Sequence, residues 1–210
     1  MKHPARPRLL KHGGARNRRD RLSTQLTEHD CRKLLTASEA AFAAGMPLNR
    51  FITIAWGKSG IDAQQSVAAT GEFVKRAREW LAGHGYGMPW CWVQEHGAKF
   101  GQHCHLLLHV DQVMDDLFRT MPLRWVKDII PHCYERKTID SQKLSAARSA
   151  QNNPAAYEAQ ILGKLHYMMK TAPETLEGPL GLTGWGHKPW GQSCLVYGKR
   201  AGVWQHRRRG

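Results

Sequence analysis

The spacing of hydrophobic positions changes several times along the chain, and each change marks a predicted element. The segments "RFITIAW" at 50–56 and "PWCWVQE" at 89–95 are short and rich in β-branched and aromatic residues, which predicts two strands. "HCHLLLHV" at 103–110 predicts a third strand. Because Gly97 and Gly101 lie between the second and third strands, we expect these two strands to form a hairpin.

Helical periodicity separates these predicted strands. A first helix is predicted for "LTEHDCRKLLTASEAAFAAG", with Thr27 as its N-cap, Asp30 three residues later and Gly45 as its stop signal. "DAQQSVAATGEFVKRAREWLAGHG" and "NPAAYEAQILGKLHYMMKTA" predict two more helices, and "QVMDDLFRTMPLRWVKDII" predicts a helix with a kink at Pro122. The segment "HCYERKTI" at 132–139 alternates like a strand.

After the N-terminal helix, the predicted order of elements is β-α-β-β-α-β-α. A βαββαβ core is typical of the α+β, ferredoxin-like (RRM-like) fold, in which an antiparallel sheet carries helices on one face. We therefore expect the other face of the sheet to be open. We expect a basic, disordered arm at 1–26, the folded domain at 27–175, and a basic extension rich in Gly and Trp at 176–210.

The charge of the chain points to a polyanionic partner. Among 210 residues, 31 Lys and Arg stand against 17 Asp and Glu, which gives a net charge of +14. Nucleic acid is the first candidate for such a partner. An acidic membrane surface is a lesser candidate, because no strongly amphipathic basic helix stands out, and a soluble basic protein without any partner is the alternative. The tail cations expected to bind phosphates without sequence preference are Arg16, Arg18, Arg19, Arg207, Arg208 and Arg209.

Membrane insertion and secretion are not expected. No stretch of the sequence approaches the length of a membrane span, and the basic N-terminal residues are followed by no apolar segment, so no secretory signal is expected. The five cysteines are scattered without a C-x-x-C motif, which predicts reduced thiols in a cytoplasmic protein.

Alternate positions of the third predicted strand carry imidazoles. His103, His105 and His109 share one face of the strand, because side chains two residues apart point the same way. With the hairpin paired symmetrically about its loop, Glu95 lies opposite His103 on that face. Two nitrogens and one carboxylate oxygen, with coordination positions left over, suit a catalytic divalent ion. A solvated face that carries chance histidines is the alternative.

Three neighbouring side chains are not expected to be ligands. Cys104 points to the other face of the strand, which argues against a closed structural zinc site. His109 lies further along the strand, and we expect it to be a satisfied core or supporting histidine. His96 follows Glu95 directly and therefore faces the wrong way.

Three of the four tyrosines after the histidine pair are set aside. Tyr134 begins the sequence "YERK", but on a strand Lys137 would face the opposite side. Tyr157 borders the apolar arc of the last helix, so we expect it to pack in the core. Tyr197 lies in a segment whose pattern predicts no helix.

Tyr167 is the candidate for a reactive phenol. The apolar arc of its helix is formed by Ile161, Leu162, Leu165, Met168 and Met169. Tyr167 lies outside this arc, with Lys164 and Lys170 at about 60° on either side. A tyrosine between two cations is suited to attack a phosphate; a surface tyrosine on a basic helix is the alternative.

Together these features resemble a known group of enzymes. "WVQEHGAKFGQHCHLLL" is similar to the Glu, Gly and His-hydrophobe-His arrangement of the HUH endonuclease superfamily, and more narrowly of rolling-circle replication initiators (Rep) of plasmids and phages. "GKLHYMMK" resembles the tyrosine motif of that family, and the resemblance covers residues 50–171. Cys104 stands where most members carry a bulky hydrophobe.

The resemblance implies an endonuclease that nicks and joins single-stranded DNA through a 5′-phosphotyrosine intermediate. It implies Mg²⁺ or Mn²⁺ as the cofactor, and single-stranded DNA at a replication origin as the substrate, with a host helicase or polymerase as partner. A relaxase or a tyrosine transposase of the same superfamily is the first alternative. The resemblance assigns Glu95, His103 and His105 to the metal and Tyr167, with Lys170 of its motif, to catalysis. From the helix geometry, Lys164 is expected to add positive charge near the same phosphate.

A non-enzymatic, RRM-like nucleic-acid-binding protein is the second alternative. Such a protein shares the sheet but needs exposed aromatic side chains on its strands instead of His and Glu. Phe51 is the one obvious candidate for that role in the predicted strands.

Overall fold

The computed structural model describes residues 21–181 and 195–205. Its strands are β1 (Leu22–Ser23), β2 (Arg50–Ile54), β3 (Trp90–Gly97), β4 (Gly101–Leu108), β5 (Ile139–Lys143), β6 (Val196–Tyr197) and β7 (Ala201–Val203). Its α-helices are α1 (Glu28–Ala43), α2 (Ala63–Gly83), α3 (Asp115–Phe118), α4 (Met121–Ile129) and α5 (Pro154–Met168).

The central sheet has five strands in the order β5-β2-β4-β3-β7, and all neighbours are antiparallel. Its first four strands, with their connecting helices, form the ferredoxin-like α+β core, so the predicted fold class is confirmed. β7 extends the sheet beyond β3, and β6 pairs separately with β1. The predicted division at residues 26 and 175 stays a prediction.

The β3–β4 hairpin has the register that symmetric pairing predicts. Glu95 lies opposite His103, and Val93 lies opposite His105. The loop is shorter than the predicted gap, because pairing continues to Gly97 and Gly101. The hairpin therefore places the carboxylate and both imidazoles on one face of the sheet, close to the turn.

Both faces of the sheet are covered, which corrects the expectation of one open face. Ile52, Trp92 and Leu106 face a core that α2 and α4 complete. Phe51 and Leu107 face a second core, completed by α1 and α5. Because the central strands carry apolar side chains on both faces, both faces must be shielded from water. The face that carries the histidines is thus packed against α1 and α5.

The predicted strand at 132–139 is wrong: residues 131–137 form turns and loops, and β5 begins at Ile139. Lys137 has a φ of 66°, which interrupts an extended chain. β5 itself is largely polar and exposed, so its membership of the sheet depends on backbone pairing with β2. Hydrophobic alternation therefore does not mark this strand.

The predicted helix at 112–130 is divided, not kinked. α3 ends at Phe118, and Pro122 lies in the first turn of α4, where proline is tolerated because its missing N–H has no partner there. By contrast, α1 has the predicted start: Thr27 and Asp30 form a capping box.

Several predicted features can be placed briefly. Cys31, Cys91 and Cys104 are buried free thiols, and Cys133 is exposed. Among the residues described, no helix combines the length and apolar character needed to cross a membrane. The tail cations that lie outside the described residues are Arg16, Arg18, Arg19, Arg207, Arg208 and Arg209.

Candidate metal and tyrosine site

β3 and β4 bring one carboxylate and two imidazoles into a compact buried cluster. One ligand atom from each of Glu95, His103 and His105 lies within 4.8 Å of the others. Oε2 of Glu95 is 3.2 Å from Nε2 of His103 and 3.6 Å from Nε2 of His105. Within the part of the chain that the structure describes, no other group of three or more such residues has this geometry.

Each histidine is oriented through its other ring nitrogen. Nδ1 of His103 donates to the backbone oxygen of Gly101 at 2.9 Å, so that nitrogen carries a proton. Nδ1 of His105 hydrogen-bonds with Oγ1 of Thr53 at 2.9 Å. Both Nε2 atoms therefore point toward Glu95. Such supporting hydrogen bonds are the usual way in which proteins aim histidine ligands at a metal.

The charges around the cluster favour the protonation states that would bind a cation. Burial raises the pKa of the Glu95 carboxyl, but the neighbouring imidazoles of His103 and His105 and the charge of Lys170 outweigh burial and hold that pKa well below its usual range. Burial lowers the pKa of His105 to about 4, although Glu95 opposes this shift. At neutral pH Glu95 is a carboxylate and His105 is neutral, which are the protonation states that metal ligands need.

Two buried atoms of the cluster lack a hydrogen-bond partner. They are Oε1 of Glu95 and Nε2 of His105. A buried polar atom without a partner costs about 1–3 kcal/mol, and a cation bound between these side chains would satisfy both atoms. The donor set therefore fits a divalent metal ion, and three protein ligands leave coordination positions for a substrate.

The C-terminal end of α5 brings Tyr167 to this cluster. The Tyr167 ring lies edge-on to the His105 ring at 4.8 Å between centroids, and 6.0 Å from the Phe51 ring. The side chain is half-buried against the core, whereas the helix pattern predicts a position off the core. Burial, followed by the Glu95 charge, raises the pKa of the Tyr167 phenol.

The two predicted lysines have different neighbours. Lys170 lies beyond the end of α5, but its Nζ lies 4.1 Å from the centroid of the Tyr167 ring and forms an ion pair with Oε2 of Glu95. Lys164 lies over the Phe51 ring at 4.6 Å and donates to Oε1 of Gln142 at 3.4 Å. Lys170 therefore belongs to the cluster, and Lys164 lies beside it.

A cleft of about 690 Å³ adjoins the cluster, and sequence reasoning missed most of its lining. Thr53 shares a face of β2 with Phe51. The sequence did not show which strand lies beside β2, so the position of Thr53 opposite His105 was not predicted. Phe100 lies in the hairpin loop; an aromatic residue in a turn was the available signal. Gln142 carried no signal because β5 was misplaced, and Lys137 was considered only as the partner of Tyr134 in "YERK".

The other residues discussed from the sequence have structural neighbours. His109 is buried, with Nδ1 2.8 Å from the backbone oxygen of Pro47, as expected of a satisfied core histidine. Cys104 faces the other core, and His96 is exposed, so neither lies in the cluster.

The remaining tyrosines lie away from the cluster. Tyr157 is buried and donates to the backbone oxygen of Leu48 at 3.4 Å, as expected of a packing residue. Tyr134 lies in a loop, not on a strand, so the strand-based reason for excluding it is wrong. Its ring packs on the core of α2 and α4, with Nζ of Lys127 5.3 Å from its centroid.

Comparison with known proteins produced one structural similarity. No protein-family profile matches the chain, and no curated protein matches it. The N-terminal nuclease domain of non-structural protein 1 from minute virus of mice is similar over 61% of this chain and 70% of its own, with 12% sequence identity and a TM-score of 0.35. That domain coordinates Zn²⁺ in its active site pocket and recognises DNA at the origin of replication.

Proposed function

We propose that this protein is a metal-dependent endonuclease of the HUH type that nicks and joins single-stranded DNA. The observation that carries this proposal is the buried Glu95–His103–His105 cluster, whose unpartnered ligand atoms lie beside the ring of Tyr167. A closed structural metal site would take four protein ligands and would have no need of a nucleophile at its edge.

Tyr167 acts as the nucleophile in this proposal. Its phenolic oxygen attacks the phosphorus of a backbone phosphodiester and forms a phosphotyrosine bond, while the bond from phosphorus to the 3′ oxygen breaks. The proton lost by the phenol is balanced by the proton gained by the departing 3′ oxygen. The products are a 5′-phosphotyrosine and a free 3′-hydroxyl, and the reverse attack by a 3′-hydroxyl joins strands.

Glu95, His103 and His105 hold Mg²⁺ or Mn²⁺ in this proposal. Such an ion would polarise the scissile phosphate and stabilise the charge that develops on its oxygens. This help matters because burial and Glu95 raise the pKa of Tyr167, so the phenol is neutral until a phosphate and a cation are in place. Lys170 and, at the cleft, Lys164 add fixed positive charge near the phosphate.

The biological role that we propose is initiation of rolling-circle replication of a plasmid or phage in the cytoplasm. The substrate is single-stranded DNA at a replication origin, and a host helicase or polymerase is the proposed partner. The arginines of both tails would add affinity for phosphates. A relaxase or a tyrosine transposase would use the same residues on another DNA substrate.

The RRM-like binding module has less support. Phe51 is its aromatic candidate, but one side of that ring stacks on His105 at 5.5 Å and Lys164 lies over the ring at 4.6 Å. The ring is 6% exposed, so it offers no free platform for a base.

The decisive experiment looks for a covalent adduct. The full chain is incubated with a pool of single-stranded DNA and Mn²⁺, and the protein is then separated under denaturing conditions. Wild-type protein should give a band shifted by the attached strand, chelation should remove that band, and Mg²⁺, Mn²⁺ and Zn²⁺ added back separately identify the supporting ion. Label at the 3′ end of the DNA should stay on the protein.

Matched tyrosine variants test the nucleophile. Tyr167→Phe removes the attacking oxygen and keeps the ring packing, so it should eliminate the adduct without lowering the melting temperature greatly. Tyr157→Phe is the control and should keep the adduct. An adduct that persists in Tyr167→Phe and disappears in Tyr157→Phe would overturn the assignment of the nucleophile. If wild-type protein forms no adduct with any strand of the pool, the proposed endonuclease activity is wrong.

A further inference from the structure

The proposed reaction uses only some of the residues that line the cleft beside the Glu95–His103–His105 cluster. His105 and Tyr167 are two of these lining residues, and the cleft has a volume of about 690 Å³. Sites for small organic ligands occupy roughly 300–1000 Å³. The cleft is therefore large enough for a ligand group beyond the reacting phosphate.

Phe100 gives this cleft an aromatic wall. It lies at the tip of the β3–β4 hairpin, is partly exposed, and its ring centroid is 5.8 Å from that of His103. Nζ of Lys99 lies 5.2 Å from the centroid of the Phe100 ring and adds a cation there. A partly exposed aromatic ring next to a reactive centre offers an apolar surface for stacking.

The hairpin tip is held in place by close backbone packing. The turn at Trp56–Ser59 lies directly against it, and a Cβ atom on Gly57 would come within 2.6 Å of the Gln102 nitrogen and 2.9 Å of the Phe100 oxygen. Two backbones in such close contact leave little room for movement. The backbone at Phe100 is therefore held in place, and a fixed backbone lowers the entropy cost of binding a ligand there.

The charged groups in the lining favour an anion. Lys137 and Lys164 line the cleft, and Asp140 is the one acidic side chain among the described lining residues. Lys137 has a φ of 66°, a backbone conformation that residues other than glycine rarely adopt. Strained backbone of this kind concentrates at ligand-binding sites. The next residue, Thr138, is held by a 2.6 Å hydrogen bond to Ser59.

We infer that the cleft holds one unpaired nucleotide adjacent to the cut phosphate, with its base stacked on Phe100 and its own phosphate bound by Lys137 and Lys164. This inference rests on the proposed function, because it places the cut phosphate at Tyr167. Stacking on a side chain requires a base with a free face, so the DNA must be single-stranded at this nucleotide.

Two matched single-stranded probes test this stacking. One is a short, fluorescently labelled oligothymidine, and the other has the same number of phosphates but abasic sites in place of the bases. The full-length wild-type protein should bind the oligothymidine more tightly. Phe100→Ala should weaken its binding by about 5- to 150-fold, the range that follows from measured stacking of one base on an aromatic side chain, and should leave the abasic probe nearly unchanged.

Three further variants separate stacking from charge and from folding. Phe100→Trp keeps an aromatic surface and should retain the preference for the probe with bases. Leu117→Ala removes an exposed apolar side chain of α3 that does not line the cleft, so it should leave the binding of both probes unchanged. Lys137→Gln combined with Lys164→Gln should weaken both probes to a similar extent, because both probes carry the same phosphates.

The outcomes that overturn the inference are distinct from failure of the proposed nuclease. The stacking site is ruled out if Phe100→Ala weakens the binding of both probes equally or of neither probe. It is also ruled out if wild-type protein binds no oligothymidine. If wild type forms no covalent adduct but its base preference still depends on Phe100, the nicking proposal is wrong and the stacking site stands.

Discussion

At the scale of single residues, Glu95 combines near-complete burial with a full negative charge. The residue is 2% exposed, and a buried charge is costly unless another charge or a metal compensates it. Lys170 supplies that compensation through its ion pair with Oε2. A divalent ion at the cluster would bind the same carboxylate, so the ammonium and the ion would compete for the negative charge of Glu95.

We therefore expect Lys170→Met to bind Mn²⁺ more tightly than wild type. Hydrogen bonds to charged groups contribute about 1.5–3 kcal/mol, which predicts a dissociation constant for Mn²⁺ that is about 10- to 150-fold lower in calorimetry. Without metal, the same variant should melt at a lower temperature, because Glu95 keeps an uncompensated charge. Lys164→Met is the control, since Lys164 contacts Phe51 and Gln142 instead, and unchanged Mn²⁺ affinity in Lys170→Met would contradict the competition.

His105 predicts a pH dependence of stability in the metal-free protein. Burial lowers its pKa in the folded chain to about 4, whereas an unfolded histidine has a pKa of about 6.5. Between these values the unfolded chain binds a proton that the folded chain does not. The free energy of unfolding should therefore fall as the pH falls from about 6.5 to about 4.

Urea unfolding in EDTA across this window measures the effect. His105→Gln removes the titrating group and should show a smaller loss of stability than wild type. His132→Gln changes an exposed histidine and should keep the wild-type slope. Equal slopes for His105→Gln and wild type would show that His105 does not carry the dependence.

At the scale of elements, the contact between the turn at Trp56–Ser59 and the hairpin connects two segments far apart in sequence. Gly57 makes this contact possible, because a Cβ there would overlap the backbone of Gln102 and Gly101. The same hairpin carries the Gly101 oxygen that orients His103. Packing at Gly57 therefore acts on His103 through the backbone.

Gly57→Ala should destabilise the fold and weaken Mn²⁺ binding together. Outer hydrogen bonds to a metal-bound histidine contribute about 10- to 100-fold in affinity, so we expect a loss of up to that size. The control is Gly71→Ala in α2, where a Cβ meets nothing within 4 Å; removing a helix glycine should raise stability by about 1 kcal/mol. If a folded Gly57→Ala protein binds Mn²⁺ with normal affinity, the turn does not influence the position of His103.

At the scale of the whole molecule, much of the positive charge lies near the ends of the chain. Residues 1–20 hold seven Lys and Arg and one acid, and residues 206–210 hold three Arg. The cluster and the cleft lie within the core that the described residues form. The terminal cations and the candidate site thus lie in different parts of the chain.

Removal of residues 1–20 should weaken single-stranded DNA binding and leave the chemistry intact. Each lost phosphate contact should reduce the slope of log affinity against log salt by about 0.7. Titrations of labelled DNA at several salt concentrations measure this slope, with adduct formation at saturating DNA as the internal control. An unchanged slope would mean that the arm does not contact DNA.

The sequence alone determined the features that depend on local spacing. Glu95 could be placed opposite His103 because pairing in a hairpin follows from the position of its loop. Thr27 and Asp30 identified the start of α1, since a capping box involves residues three apart. The fold class followed from the order of strongly patterned elements.

Only the tertiary structure decided the features that depend on distant packing. Thr53, Lys137 and Phe51 meet the cluster or its cleft from β2 and the segment before β5, and no local pattern predicts which strands distant in sequence become neighbours. β5 was misplaced because a polar edge strand is held by backbone hydrogen bonds that its side chains do not reveal. The depth at which Tyr167 lies was decided in the same way: helix periodicity orders the residues around α5, but the contact with His105 depends on how that helix crosses the sheet.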